Sequence, residues 1–354
     1  YAFPSNRHLC QKAEEFTMKW FPDRIRVLTL TLVIALLIPI FVRSAFVLHV
    51  LVLLGIWVVL TVSLNLVTGF AGQLALGHAA FVTIGAYTGA LLMLNNGWSF
   101  WPALLVGGLT SLLSGLILGL MALRLRGDYL GMVTLGFGEI IRVVAINWVD
   151  LTRGPMSLPG IPRPVIFGYT FKGEVPFYFL MLALVVFTQV TVERLLFSRF
   201  GRACLAVRDD VEAARAMGVE DYKYKVLAFC ISSGYAGLAG VFYASWTTLF
   251  SPDSFTLTDS IMISVMETLG GIGSLEGIIP GAMILGALPE LLRPFTTGVK
   301  IASLRLAGVG LLMVVMLIVR PQGIAGMSIR KAYISLEPVR RLFVRDQARI
   351  QEGP

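Results

Sequence analysis

Charge is scarce in this chain. Only 14% of its 354 residues are Asp, Glu, Lys or Arg, against about 25% in an ordinary soluble domain, and that shortage excludes a conventional water-exposed fold. Cysteine is nearly missing: Cys10, Cys204 and Cys230 are too few and too dispersed for a disulfide framework, and no spacing matches a metal site. His8, His49 and His78 are far apart in sequence, which argues against zinc chemistry. No G-x-x-x-x-G-K-[ST] run occurs, so the chain lacks the phosphate loop with which to hydrolyse ATP by itself. The polar and mixed opening residues match neither a secretory signal nor an organelle presequence.

What is present is apolar surface. Hydrophobic residues make up 56% of the sequence and the mean hydropathy is +0.79. This composition describes an all-α polytopic membrane protein, because lipid tolerates helices but not exposed irregular backbone. Runs of sufficient apolarity give about ten expected spans, some short or broken: Val27 to Val42, Phe46 to Val67, Ala79 to Leu94, Pro102 to Leu123, Tyr129 to Val149, Phe177 to Phe197, Val226 to Leu249, Asp259 to Gly271, Ile278 to Leu292 and Leu304 to Val319. The net charge of +8 is scattered between these runs rather than gathered in a stripe, so it reads as topology and not as a nucleic-acid surface. With a cytoplasmic N-terminus, the clusters at Lys12 to Arg26, Arg124 and Arg126, Arg194 to Lys225, and Arg320 to Lys331 all fall inside. Both termini are then cytoplasmic. Residues 1–26 form a cytoplasmic N-terminal segment, 27–323 the membrane domain and 324–354 a cytoplasmic tail, with an outer Pro- and Gly-rich loop at 150–176. Arg293 and Lys300 on the outer side weigh mildly against this scheme.

Two regions are broken by glycine. GFAGQLALGHAAFVTIGA, from Gly69, and ETLGGIGSLEGIIPGAMILG, from Glu267, share a layout of descending span, glycine-rich turn and rising span. Paired discontinuous helices of this kind often border a substrate path; the plainer reading is close packing of small residues. Polar groups at membrane depth face a protein interior or a solvent path. Gln73, His78, Tyr87, Ser264 and Glu267 are therefore expected away from lipid, as substrate-pathway candidates. Glu139 joins them, with a structural pair to Arg142 as the alternative. His78 suits a structural hydrogen bond better than catalysis. Gly85, Gly89, Gly107, Gly108, Gly281 and Gly286 are candidates for contact with a second membrane chain, or for packing within this one.

The longest polar stretch inside the membrane domain, Arg199 to Lys225, lies within an inner loop at 198–225 and suits a helical element that receives force from a soluble motor. Asp209 or Asp210 is expected to cap a short helix there. The alternative is an amphipathic helix lying on the membrane.

Four ordered segments carry a family resemblance: NLVTGFAGQLALGHAAFVTIGAYTGALL from Asn65, RLRGDYLGMVTLGFGEIIRVV from Arg124, GRACLAVRDDVEAARAMGV from Gly201 and METLGGIGSLEGIIPGA from Met266. Together they resemble the LivM-like membrane subunits of bacterial ABC importers for branched-chain amino acids, over about Val27 to Gly323. The resemblance implies an ABC importer permease fold and a non-enzymatic transport subunit. It also implies a related permease subunit as partner, two cytoplasmic ATPase subunits that carry ATP and Mg, and a periplasmic substrate-binding protein. Glu212-Ala213-Ala214 followed by Gly218 resembles the coupling loop of such permeases, which assigns ATPase coupling to Arg202, Arg208, Asp209, Asp210, Glu212, Ala213, Ala214 and Gly218. Hydrophobic amino acids rank first as cargo, ahead of urea, short amides or small organic acids. A secondary transporter driven by ion gradients is the competing mechanism, and a membrane scaffold a third reading. The few polar groups at depth predict a weakly binding, small-residue path, with selection left mainly to the external binding protein.

Overall fold

The structure, a computed structural model, describes residues 44–122, 127–166, 169–171 and 173–292, with isolated positions at 36, 39, 310, 311, 314, 323 and 324. Unbroken apolar sequence makes α1, Ala45–Asn65, which runs on without interruption into a wider π turn, Leu66–Phe70. Non-helical backbone follows to Gly77, and then come α2, His78–Asn95, and α3, Phe100–Ala122. Next are α4, Asp128–Asn147, and the single turn α5, Val149–Thr152. After an irregular connection stand α6, Glu174–Phe197; α7, Arg199–Asp209; α8, Val211–Ala216; and α9, Asp221–Thr247. A hairpin of α10, Leu257–Gly270, and α11, Leu275–Leu292, completes the described helices. The fold is all-α apart from two minimal antiparallel ladders, in which β1, Leu158–Pro159, pairs with β4, Leu249–Phe250, and β2, Val165–Ile166, pairs with β3, Tyr169–Thr170.

Among the described residues six helices are long and apolar enough to cross a membrane: Ala45–Phe70, His78–Asn95, Phe100–Ala122, Tyr129–Asn147, Glu174–Phe197 and Asp221–Thr247. Each coincides with an expected span. The expected count of ten is not reached among the described residues. The span expected from Asp259 to Gly271 is α10, whose 14 residues extend only about 21 Å, less than the hydrocarbon thickness of a bilayer. The one expected from Ile278 to Leu292 lies in α11, which contains Pro280 and Pro289. Apart from Leu36, Pro39, Gly310, Leu311 and Val314, Val27 to Val42 and Leu304 to Val319 lie outside the described residues, as do the end segments 1–26 and 324–354, Ile324 excepted.

Small residues set the centre of the bundle. Helix α9 packs on α2 and α3 so closely that a Cβ on Gly85 would stand 2.5 Å from the Gly237 backbone, and one on Gly240 2.1 Å from the Val82 carbonyl. Gly107 meets Val241 and Gly85, Gly108 meets Leu238, and Gly89 meets Val241. Gly281 touches the backbone of Gly270 within the α10–α11 hairpin, and Gly286 lies against Leu54 and Trp57. All six glycines offered above as contacts for a second chain are used inside this one. Serines seal the same seams, with Ser111 Oγ donating to the Phe81 carbonyl at 2.8 Å and Ser232 Oγ to the Ser63 carbonyl at 2.6 Å.

Helix α4 stands apart. It touches mainly α2, and only 22% of its spanning window is buried, leaving Met132, Ile140, Val143 and Val144 exposed.

Candidate functional site

The two glycine-broken regions meet at one end of the bundle. Within the π turn, the Gly69 carbonyl accepts a hydrogen bond from the Arg208 guanidinium at the end of α7. The turn between α10 and α11 reaches the same spot. Gly273 N–H donates to Asn65 Oδ1 at 2.8 Å, and a Cβ on Gly69 would stand 2.7 Å from Gly273 N. Arg208 also lies against Gly273 and Gly72, whose φ values of +80° and +67° favour glycine. Beside this junction the buried Glu267 accepts from the Thr68 hydroxyl. The Ile324 N–H donates to the Leu269 carbonyl at 2.8 Å, and Gly323 packs on Gly271.

Arg208 belongs to a compact helical hairpin. Ser198 caps α7 by accepting from Phe200 N–H at 3.1 Å. Gly201 is required there, since a Cβ would fall 2.1 Å from the Leu196 carbonyl. Asp210 caps α8, accepting from Glu212 N–H and Ala213 N–H at 2.9 and 3.0 Å. Of the two aspartates expected to cap, Asp210 does so; Asp209 ends α7 and is exposed. Gly218, at φ +81°, turns the chain out of α8, and Val219 N–H bonds back to the Ala214 carbonyl. Ala214 is buried, while Glu212, Ala213 and Met217 are exposed. Arg215 fastens the hairpin to α9 through Asp221 at 2.9 and 3.0 Å. Arg202 spans back to the Phe197 carbonyl at 3.1 Å. Burial pushes the Cys204 thiol up to about 12.

A second feature is a cleft between α2, α4 and the segment leading into α10. It is lined by Gly77, Ala80, Gly138, Glu139, Arg142 and Ser260, among others. Leu76 N–H donates to Thr134 Oγ1 and Ala79 N–H to Ser260 Oγ, both at 3.0 Å, so side chains satisfy amide donors at the break before α2. Arg142 bridges the mouth of the cleft. Its Nη1 donates to Glu139 Oε1 at 2.9 Å, and its Nε and Nη2 both reach Asp253 Oδ1, at 3.0 and 2.7 Å.

A protein family described as "Branched-chain amino acid transport system / permease component" matches residues 46–319. The chain belongs to that family. Over 296 residues the permease is 38% identical to the "High-affinity branched-chain amino acid transport system permease protein LivM" of Salmonella typhimurium, covering 77% of this chain and 68% of that protein. It is 25% identical over 315 residues to the "Probable branched-chain amino acid transport permease protein LivM" of Methanocaldococcus jannaschii, covering 76% and 90%. It is 24% identical over 299 residues to the permease protein LivH of Escherichia coli, covering 76% and 91%. No solved structure matches this chain.

The permease does not gather its six predicted pathway residues into one place. His78 is buried in a bond to Ser63 Oγ at 2.8 Å, with its ring edge-on to Phe81, which is a packing role. Gln73 folds onto its own loop, donating to the Ala71 and Gly72 carbonyls at 3.3 and 3.2 Å. Ser264 bonds the Ser260 carbonyl one turn back in α10. Tyr87 is buried edge-on to Phe250, and its hydroxyl has no hydrogen-bond partner among the described residues. Glu267 lies at the glycine junction, and Glu139 at the cleft with Arg142. There Arg142 joins Glu139 and Asp253 in a partly exposed acid–base cluster. Asn65, Thr68, Gly273 and Asp253 were not singled out from the sequence. Asn65, the one amide in the α1 run, was the available signal; Asp253 had none. Among the described residues no group of three or more His, Cys, Asp or Glu is placed to hold a metal ion.

Proposed function

We propose that this chain is one membrane half of an ATP-driven importer of branched-chain amino acids in a bacterial inner membrane. The single observation that carries the reading is the path from hairpin to membrane domain: α7 and α8 form a capped, solvent-facing knob, and Arg208 on that knob reaches the meeting point of both broken regions. A soluble motor docking on Ala213, Met217 and Gly218 would move that junction. The described residues contain one such hairpin, whereas a two-ATPase motor pushes on two, so a related permease supplies the other. The two ATPase subunits bind ATP and Mg, and a periplasmic binding protein delivers cargo. Loop 198–225 is then cytoplasmic and loop 150–176 external. The ten-span scheme with both termini inside accords with the same orientation, with α10 and α11 as a pair that enters the membrane and α10 shorter than the other six.

The family membership and the likeness to LivM support branched-chain amino acids as cargo. Reconstitution of the purified complex in proteoliposomes tests the whole reading. Leucine uptake should require ATP and the binding protein and survive an uncoupler, and native mass spectrometry should find one copy of this chain with one unlike permease and two ATPases. Uptake that survives ATP removal but stops with an uncoupler would instead establish a secondary transporter.

A further inference from the structure

Helix α10 is closed by residues far from it in sequence. The last carbonyls of a helix have no partner within it and take donors from elsewhere. Gly271 N–H serves the Glu267 carbonyl at 2.9 Å, and Ser274 Oγ serves that of Gly270 at 3.3 Å. For the Leu269 carbonyl the donor one turn on would be Gly273 N–H, but that amide is given to Asn65 Oδ1. Its place is taken by Ile324 N–H, at 2.8 Å. In the sequence Ile324 follows the expected span Leu304 to Val319, and this bond brings it to the hairpin's end of the bundle.

Gly323 makes that approach possible. It holds φ +73°, and a Cβ on it would stand 2.6 Å from the Gly271 backbone and 2.9 Å from the Thr268 carbonyl. Ile324 itself packs on the cluster that contains Leu66, Phe70, Leu269 and Leu275, which Phe200 of α7 also joins. The turn Gly271 to Ser274 is therefore held from three sides: by Asn65 of α1, by Arg208 of the hairpin, and by Gly323 with Ile324. Two of its four residues are glycine, the residue that restrains a backbone least. A displacement delivered at Arg208 would be taken up within such a turn unless contacts from outside fix it.

We propose that Gly323 and Ile324 are positioning residues for coupling: they clamp the α10–α11 turn to the end of α10, so that a displacement of Arg208 is carried into α10 instead of being lost in the turn. This assignment rests on the transport function proposed above and extends its path of force to two residues outside the hairpin.

The test is the ratio of leucine accumulated to phosphate released by the complete reconstituted complex, with basal ATPase rate, subunit composition and thermal midpoint measured in parallel. Ile324→Pro removes the amide donor, and Gly323→Ala places a Cβ against the Gly271 backbone. Each is expected to lower the ratio about fivefold while the ATPases stay bound and active. Ile324→Val keeps the amide and should stay within about twofold of wild type. In an Arg208→Ala background Gly323→Ala should lower the ratio by less than about twofold more, because both residues act on one turn. A contact that serves stability alone would lower the midpoint and leave the ratio of both variants at its wild-type value. That result overturns the proposal, and so does a second fall of about fivefold on top of Arg208→Ala. Should neither single variant assemble, hydrogen exchange of the wild-type complex decides: slow exchange of the Ile324 amide that changes between ATP and ADP on the motor is expected, and exchange indifferent to the nucleotide overturns the clamp. A wild-type complex without ATP-driven leucine uptake would overturn the transport function itself, an outcome separate from any variant's.

Discussion

Asn65 and Gly273 lie 208 positions apart and are joined by a 2.8 Å hydrogen bond from the glycine amide to the asparagine side-chain oxygen. That bond ties the end of α1 to the turn between α10 and α11. Asn65 is fully buried, so Asn65→Leu leaves an unpaired amide, at a cost of about 1–3 kcal/mol. A lowered unfolding midpoint in urea for the purified permease is the expected result; an unchanged midpoint would mean that the bond contributes nothing net.

Arg208 bears on the same junction from the hairpin side. Arg208→Ala is expected to leave the ATPase subunits bound and hydrolysing while leucine uptake per ATP falls about tenfold, since one charged hydrogen bond to a backbone carbonyl is worth roughly 1.5–3 kcal/mol. Arg208→Lys should recover part of the coupling. The ratio of leucine accumulated to phosphate released checks this directly, and unchanged coupling in Arg208→Ala would remove Arg208 from the path of force.

The knob itself depends on its cap and its exit. Asp210→Ala should cost about 0.5–2 kcal/mol of local stability, and a bulky residue at Gly218 would have to adopt a left-handed backbone. Glu212→Lys reverses a charge on the exposed surface. Weakened recovery of ATPase subunits with the affinity-purified permease is the expected outcome for the Gly218 and Glu212 variants; full recovery with full uptake in both would exclude the hairpin as the docking element.

Packing glycines should behave as residues of this chain's own interior. Gly85→Val forces a side chain into the Gly237 backbone and is expected to destabilise by about 1–3 kcal/mol or more. Gly136→Ala, with nothing within 4 Å of the new Cβ, should be neutral or slightly stabilising in its helix. Thermal unfolding of the isolated chain distinguishes them, and equal midpoints would contradict the close α2–α9 contact.

Cys204 gives a pH-dependent signal. Its buried thiol is raised from an ordinary 9.0 to about 12, so the folded state holds its proton where the unfolded chain has lost it. The resulting stability is fully present below pH 9 and declines as pH rises toward 12. At pH 8 a maleimide should label Cys204 only after denaturation, whereas rapid labelling of the native protein would show α7 to be loosely seated.

The sequence alone determined the class of this protein and most of its helices, because long apolar runs with few charges have one stable form in lipid. It also located the polar hairpin and the two glycine-broken regions, since composition changes sharply at Arg199, Gly69 and Gly270. It left open what those breaks do. Glycine spacing cannot say whether a bare backbone faces a neighbouring helix or a second chain, and only the tertiary structure placed Gly85 on Gly237 and Gly281 on Gly270. Hydropathy likewise marked His78 and Glu267 as costly at depth without naming Ser63 and Thr68 as the groups that satisfy them. Periodicity can orient a residue only around its own helix. The meeting of Asn65, Gly273 and Arg208, and the reach of Arg142 to Asp253 across the cleft, depend on how separate helices cross, and that is decided by side-chain packing between segments far apart in the chain.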